Sequence, residues 1–228
     1  MNAIAAIIFD LDGVLVNSEP LHVQAEHAIC RQYGIDAPWS EWQRFKGQTD
    51  QAMFAYLVQH FTDGAIAVAE LIQAKQAMFA QLLAEELQPI PGALEFIRWA
   101  KTRYGKLALT TSSEPQNQQQ IFARYGLQPY FDVVITSADI QRGKPHPEPY
   151  LKTLAALRLP GERCVVIEDS LAGVQSAKAA GCRVVGLTTS FAREQLWEAG
   201  ADVVVDHFGA LFEQMDDASM IAVREPSR

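Results

Sequence analysis

Apolar residues gather in six short, nearly unbroken runs: Ile4–Phe9, Leu107–Thr111, Asp132–Thr136, Arg163–Ile167, Arg183–Leu187 and Asp202–Val205. Each is rich in Val, Ile and Leu and lacks polar alternation. That is the pattern of strands covered on both faces of a parallel sheet. Between the later runs the apolar spacing lengthens to that of helices, over Ala93–Tyr104 after Pro91-Gly92, Gln116–Tyr125 before Gly126, Pro149–Leu157 before Leu159-Pro160, and Leu171–Ala180 before Gly181. A glycine just past the last helical residue supplies a left-handed cap. Regular strand–helix alternation predicts an α/β fold, a Rossmann-like doubly wound parallel sheet.

The alternation fails between residues 18 and 87. Leu21–Tyr33 reads as a helix stopped by Gly34, Asp50–Phe61 as a second, and Leu71, Ile72, Lys75, Met78, Phe79, Leu82 and Leu83 recur along a third. The pattern predicts an α-helical domain of residues 18–87 inserted into an α/β core of residues 1–17 and 88–228. Its apolar stripes read as ordinary core packing. The tail after Asp217 is weakly patterned and is expected to fray.

In open α/β sheets ligands bind beyond the carboxyl ends of the strands. The first predicted strand ends in Asp10-Leu11-Asp12-Gly13-Val14. Residues two apart in extended chain share a side, and paired carboxylates need a cation or a shared proton; a plain polar turn is the alternative. The second strand runs into Thr110, Thr111, Ser112 and Ser113, and the loop after Thr136 holds Gly143-Lys144-Pro145. The strand ending at Ile167 is followed by Glu168-Asp169-Ser170. The hydroxyls suit a helix cap or a phosphoryl oxygen at a helix N-terminus. The acidic positions form an oxygen-rich set of the kind Mg²⁺ prefers. Carboxylates, hydroxyls and a lysine on one edge fit phosphoryl transfer, which needs a nucleophile, charge neutralisation and a proton for the leaving group. No P-loop, GxGxxG turn or G-x-S-x-G signature offers another route.

Composition narrows the partners. A formal charge of −8 argues against nucleic acid, while local cations still permit a small phosphorylated substrate. Three cysteines without metal-ligand spacing suggest a reducing compartment. The first residues lack the basic region of a signal peptide, and no run is long enough for a bilayer. A cytoplasmic protein without membrane contact is expected. Nothing demands a multimer, so a monomer is expected.

Four motifs in order, Asp10-Leu11-Asp12-Gly13-Val14-Leu15, Leu109-Thr110-Thr111-Ser112-Ser113, Gly143-Lys144-Pro145 and Glu168-Asp169-Ser170, resemble the haloacid dehalogenase-like superfamily over nearly the whole chain. They are most similar to the β-phosphoglucomutase-like sugar-phosphate phosphatases, and residues 18–87 resemble that group's cap. The resemblance implies that Asp10 attacks phosphorus and that Asp12 serves as general acid and base. Thr111 and Lys144 would hold the phosphoryl group, with Ser112, Ser113 and Asn117 on the substrate side. Mg²⁺ would be bound by Asp10, the Asp12 carbonyl and Asp169, with Glu168 direct or through water. His22 lies where mutase relatives couple cap closure to catalysis. The stretch Phe45-Lys46-Gly47-Gln48-Thr49-Asp50 resembles the cap's specificity loop. Asp50 stands where relatives carry a phosphate-binding arginine or an imine-forming lysine, and it suits neither role. Lys46 and Lys75 are the cap's candidate cations for substrate. The expectation is a Mg²⁺-dependent phosphatase for a sugar or polyol phosphate. A β-phosphoglucomutase-type phosphotransferase and a non-catalytic metabolite-binding protein are the competing readings.

Overall fold

The computed structural model describes residues 3–42, 45 and 49–216. These fall into two compact units, one of Ser18–Leu87 and one of the chain up to Asn17 and from Gln88 onward. The Ser18–Leu87 unit is helical: α1 (Glu19–Gln32), α2 (Trp39–Trp42), α3 (Asp50–Phe61) and α4 (Val68–Glu85). Pro20 lies in the first turn of α1, where its missing N–H is not needed. Gly34, just past that helix, adopts φ 71°. Thr49 caps α3 by accepting from Ala52 N at 3.2 Å. Ile29, Cys30, Met53, Phe54, Leu57 and Leu71 form the unit's core. No strand occurs among the unit's described residues.

The second unit holds the predicted parallel sheet. Its strands are β1 (Ala6–Phe9), β2 (Lys106–Thr110), β3 (Val133–Ile135), β4 (Cys164–Glu168), β5 (Arg183–Leu187) and β6 (Val203–Val205), in the order β3-β2-β1-β4-β5-β6. Helices α5 (Ala93–Tyr104), α6 (Pro115–Tyr125), α7 (Glu148–Leu157), α8 (Leu171–Ala179), α9 (Arg193–Glu198) and α10 (Phe208–Asp216) connect and cover them. Alternate side chains of each strand enter opposite layers. Ala6, Ile8, Val166 and Val184 pack with Tyr150 and Leu154 of α7, Val174 of α8 and Leu196 of α9. On the other face Phe9 meets Phe96 of α5 at 6.1 Å between ring centroids, and Phe96 meets Phe208 of α10 at 5.2 Å. Both faces are therefore covered, which is why the strand runs are continuously apolar.

Register fixes where the polar ends fall. Phe9 is level with Leu109 on one side and Ile167 on the other. The residues just beyond, on three adjacent strands, thus share one edge. Strands β3, β4 and β6 begin one residue later than the apolar runs predict, and in β3 and β6 the residue left out is an aspartate. Asp132 Oδ2 accepts from Leu107 N at 2.9 Å, and Asp202 Oδ2 accepts from Val184 N at 2.7 Å. Each carboxylate closes the start of a neighbouring strand instead of extending its own. Helices α2, α9 and α10 were not predicted; the first two span four and six residues, too few turns for a periodic signal. No helix among the described residues is long and apolar enough to cross a membrane.

Phe96 is fully buried and joins β1, α5 and α10 through its ring contacts. Replacing Phe96 with Ala is expected to lower the unfolding free energy by about 3–5 kcal/mol, measured by urea denaturation. A loss below about 1 kcal/mol would show that this aromatic layer does not hold the sheet's second face.

Candidate active site

The chain leaves β1 in a tight turn. Asp10 N still donates to Ile167 O at 3.0 Å, then Leu15 N returns to Leu11 O at 2.8 Å and Gly13 N to Val16 O at 2.8 Å. Gly13 has φ +73°, and a Cβ there would lie 1.8 Å from Asp169 Oδ2. Glycine is required twice over, for its backbone angle and for the room it leaves the carboxylate.

Lys144 gathers the site. Its Nζ donates to Asp10 Oδ1 at 2.9 Å, a residue 134 positions away, to Glu168 Oε1 at 2.6 Å, and to Thr110 O at 3.2 Å. The loop that carries it is pinned on both sides. Glu148 accepts from Gln141 N at 2.8 Å and Arg142 N at 3.2 Å, and Ser176 Oγ donates to His146 O at 2.6 Å. The Lys144-Pro145 peptide is cis. Burial alone would lower the Lys144 pKa, but Asp10 and Glu168 outweigh it and hold the ammonium above its ordinary value.

Asp10, Glu168 and Asp169 are buried, and each offers an oxygen within 4.8 Å of the others. Burial drives the Asp10 carboxyl well above its usual range, against the attraction of Lys144. Burial, with repulsion from Glu168, pushes Asp169 to about 7. Glu168 is the most engaged of the three. Its Oε1 accepts from Lys144 and from Tyr150 Oη at 2.7 Å, and its Oε2 from Ser170 N at 3.2 Å and Ser170 Oγ at 3.0 Å. Asp10 gives only Oδ1 to Lys144, and Asp169 gives only Oδ2, to Ser190 Oγ. Three buried carboxylates facing one ammonium leave net negative charge, and an all-oxygen donor set suits a hard divalent cation. The residues fit Mg²⁺, with Asp10 Oδ2 and Asp169 Oδ1, which accept no hydrogen bond among the described residues, as the oxygens available to it.

The Asp12 carboxylate accepts from Ser113 Oγ through its Oδ2. Thr111, buried just past β2, accepts from Ser113 N at 3.0 Å through Oγ1 and donates its own N–H to Ile135 O at 2.9 Å. Thr111, Ser113 and Asp12 thus form one chain of contacts. Ser112 is exposed and Asn117 half-buried in the first turn of α6; among the described residues neither joins the network around Asp10.

Within the helical unit, His22, Lys75 and Asp50 also come together. Lys75, 4% exposed, donates to both oxygens of Asp50 at 3.0 Å and to His22 Nδ1 at 3.0 Å, with Glu26 Oε1 at 3.7 Å. His22 stacks on Phe79 with ring centroids 3.8 Å apart. Lys75, a candidate for reaching substrate, has its charge met within this unit, chiefly by Asp50. Lys46 and Gly47 lie outside the described residues.

Tyr150, Thr189 and Ser190 were missed by the sequence reading. Thr189 and Ser190 follow β5, so the strand-end rule that singled out Asp10 would have found them had it been applied there. Tyr150 sits in the apolar stripe of α7 and gives no such signal.

The profile of a family described as haloacid dehalogenase-like hydrolase matches residues 7–187. A phosphorylated carbohydrates phosphatase of Thermotoga maritima is 34% identical over 88% of this chain and 93% of its own length. Glycerol-1-phosphate phosphohydrolase 2 of Saccharomyces cerevisiae is 31% identical over 88% of this chain and 81% of its own. The crystal structure of CbbY from Rhodobacter sphaeroides in complex with phosphate superposes with a TM-score of 0.78 at 31% identity, covering 91% of this chain and 96% of that one.

Two outcomes follow from this geometry. Gly13→Ala forces Asp169 aside and is expected to lower kcat/KM by about 10²-fold while far-UV circular dichroism is unchanged; an unaltered rate would show that the carboxylate's place is immaterial. Burial pushes the Glu26 carboxyl to about 7, so the folded unit keeps a proton that the unfolded chain releases. Its contribution to stability is present below about 4.5 and is lost as pH rises through about 7. Glu26→Gln does not titrate, so its melting temperature relative to wild type should rise from pH 5 to pH 8. A constant difference across that range would contradict the assignment.

Proposed function

The chain belongs to the haloacid dehalogenase-like hydrolase family, and on that premise we propose that it is a Mg²⁺-dependent phosphatase hydrolysing a small sugar or polyol phosphate through an aspartyl-phosphate on Asp10. The observation that carries this reading is the buried Asp10 carboxylate, held at one oxygen by Lys144. A tethered carboxylate with a fixed orientation is a competent nucleophile toward phosphorus.

In the first step an Asp10 oxygen bonds to phosphorus as the bond to the substrate's alcohol oxygen breaks. Asp12 gives its proton to that departing oxygen. In the second step water attacks the phosphorus, Asp12 takes the water's proton, and the bond to Asp10 breaks to return the carboxylate. Asp12 suits this part because its carboxylate is held in place by Ser113. Lys144 neutralises charge on the phosphoryl oxygens throughout, while Thr111 and the adjoining hydroxyls of Ser112 and Ser113 bind them. Asp10, the Asp12 carbonyl and Asp169 would hold Mg²⁺, with Glu168 acting through Lys144 or a water. Bound there, the cation supplies positive charge to the phosphoryl group.

The named activities of the Thermotoga and yeast relatives support a phosphorylated carbohydrate or polyol as the substrate class. Residues 18–87 would serve as the cap that selects it, with His22, Lys46, Gly47, Lys75 and Asn117 of the core as contributors. With Lys75 satisfied by Asp50, a monophosphate with neutral hydroxyls suits the cap better than a bisphosphate.

The test is phosphate release from a panel of phosphorylated metabolites with Mg²⁺. Asp12→Asn should lower kcat by about 10²–10⁴-fold, and Asp10→Asn should abolish turnover. Full activity of Asp10→Asn on any substrate the wild type hydrolyses would remove Asp10 as nucleophile. Glucose 6-phosphate formed from β-glucose 1-phosphate, in place of free phosphate, would turn the assignment to a mutase.

A further inference from the structure

The loop after β5 reaches back to the start of the site. Thr188 anchors it, donating N–H to Val205 O at 3.0 Å and Oγ1 to Asp206 Oδ1 at 2.9 Å. The next two hydroxyls point the other way. Thr189 Oγ1 donates to Gly13 O at 2.6 Å, and Ser190 Oγ donates to Asp169 Oδ2. The position of Gly13 completes the contact: a Cβ built there would stand 1.8 Å from Asp169 Oδ2 and 3.1 Å from Ser190 Oγ. One oxygen of Asp169 is therefore enclosed between the Gly13 backbone and a serine hydroxyl.

A carboxylate's last torsion is soft, with broad wells. A charge-assisted donor on one oxygen restricts that freedom. It also assigns one of the oxygens: Oδ2 is the one that faces the serine. The same loop holds the Gly13 carbonyl, so the turn bearing Asp12 and the carboxylate of Asp169 are tied to one another through two consecutive hydroxyl residues, Thr189 and Ser190.

We propose that Ser190, assisted by Thr189, is a positioning residue that orients Asp169 for a divalent cation and so sets the protein's Mg²⁺ affinity. This rests on the reading of Asp169 as a Mg²⁺ ligand. Partners of this kind, outside the ligand set, are worth about 10–100-fold in metal affinity.

Calorimetric titration of the substrate-free protein with Mg²⁺ tests it directly. Ser190→Ala should raise the Kd for Mg²⁺ by about 10–100-fold. Ser190→Thr, which keeps a hydroxyl, should restore most of the affinity. In steady-state assays the Ser190→Ala defect should appear as a higher Mg²⁺ requirement, with kcat at saturating Mg²⁺ changed little. Ser190 is half-buried, and the melting temperature in chelator reports whether the variant folds; Thr189→Val, with a smaller loss of Mg²⁺ affinity expected, provides a second probe of the same clamp. Wild-type affinity in Ser190→Ala and Thr189→Val would overturn the clamp and leave the metal reading intact. A wild-type protein that takes up no Mg²⁺ would overturn both.

Discussion

A surplus of buried negative charge at one edge of the sheet is the constraint around which the rest is arranged. Asp10, Glu168 and Asp169 are all less than a tenth exposed, and Lys144 is the cation placed among them. Burying a charge without a partner is costly, so each carboxylate has acquired one. Glu168 takes Lys144, Tyr150 and Ser170; Asp169 takes Ser190; Asp10 takes Lys144. Gly13 lacks a side chain because Asp169 occupies its place, and Gly173 is constrained likewise, since a Cβ there would lie 1.9 Å from Glu168 Oε1.

The three carboxylates are not equivalent, and their differences separate their roles. Glu168 has both oxygens saturated and acts chiefly by holding Lys144. Among the described residues Asp10 and Asp169 each accept through one oxygen only. Asp12 is tied instead to Ser113. The helical unit shows the opposite solution. There the buried cation, Lys75, is met by Asp50 and Glu26, so the charges close on themselves.

Much of this was legible because burial on both faces leaves a strong trace in the chain. Ile4–Phe9 and Arg183–Leu187 could hardly be anything but interior strands, and once parallel strands are in register their ends must share an edge. That alone brings Asp10, Thr111, Glu168 and Asp169 into one neighbourhood. Lys144 was visible through its glycine and proline neighbours, which mark a held loop. What stayed hidden acts through another residue. Tyr150 looks like a core aromatic, because its ring is one, while its hydroxyl serves Glu168. Asp132 and Asp202 look like the first residues of strands, yet their carboxylates cap the strand next door. Lys75 sits in an apolar stripe, and charge alone does not reveal whether a lysine turns out to solvent or in toward an aspartate 25 residues earlier; only the packing of α3 on α4 decides it.

The central claim is that this charge cluster makes Asp10 a nucleophile toward phosphorus. Rapid acid quenching of the protein during turnover of a hydrolysed sugar phosphate, followed by peptide mass spectrometry, examines it most directly. The expected result is a phosphoryl group on the peptide containing Asp10, lost on treatment with hydroxylamine as an acyl phosphate must be. Phosphate release at full rate with that peptide unmodified at every time point, or with the phosphoryl group on another residue, would contradict it.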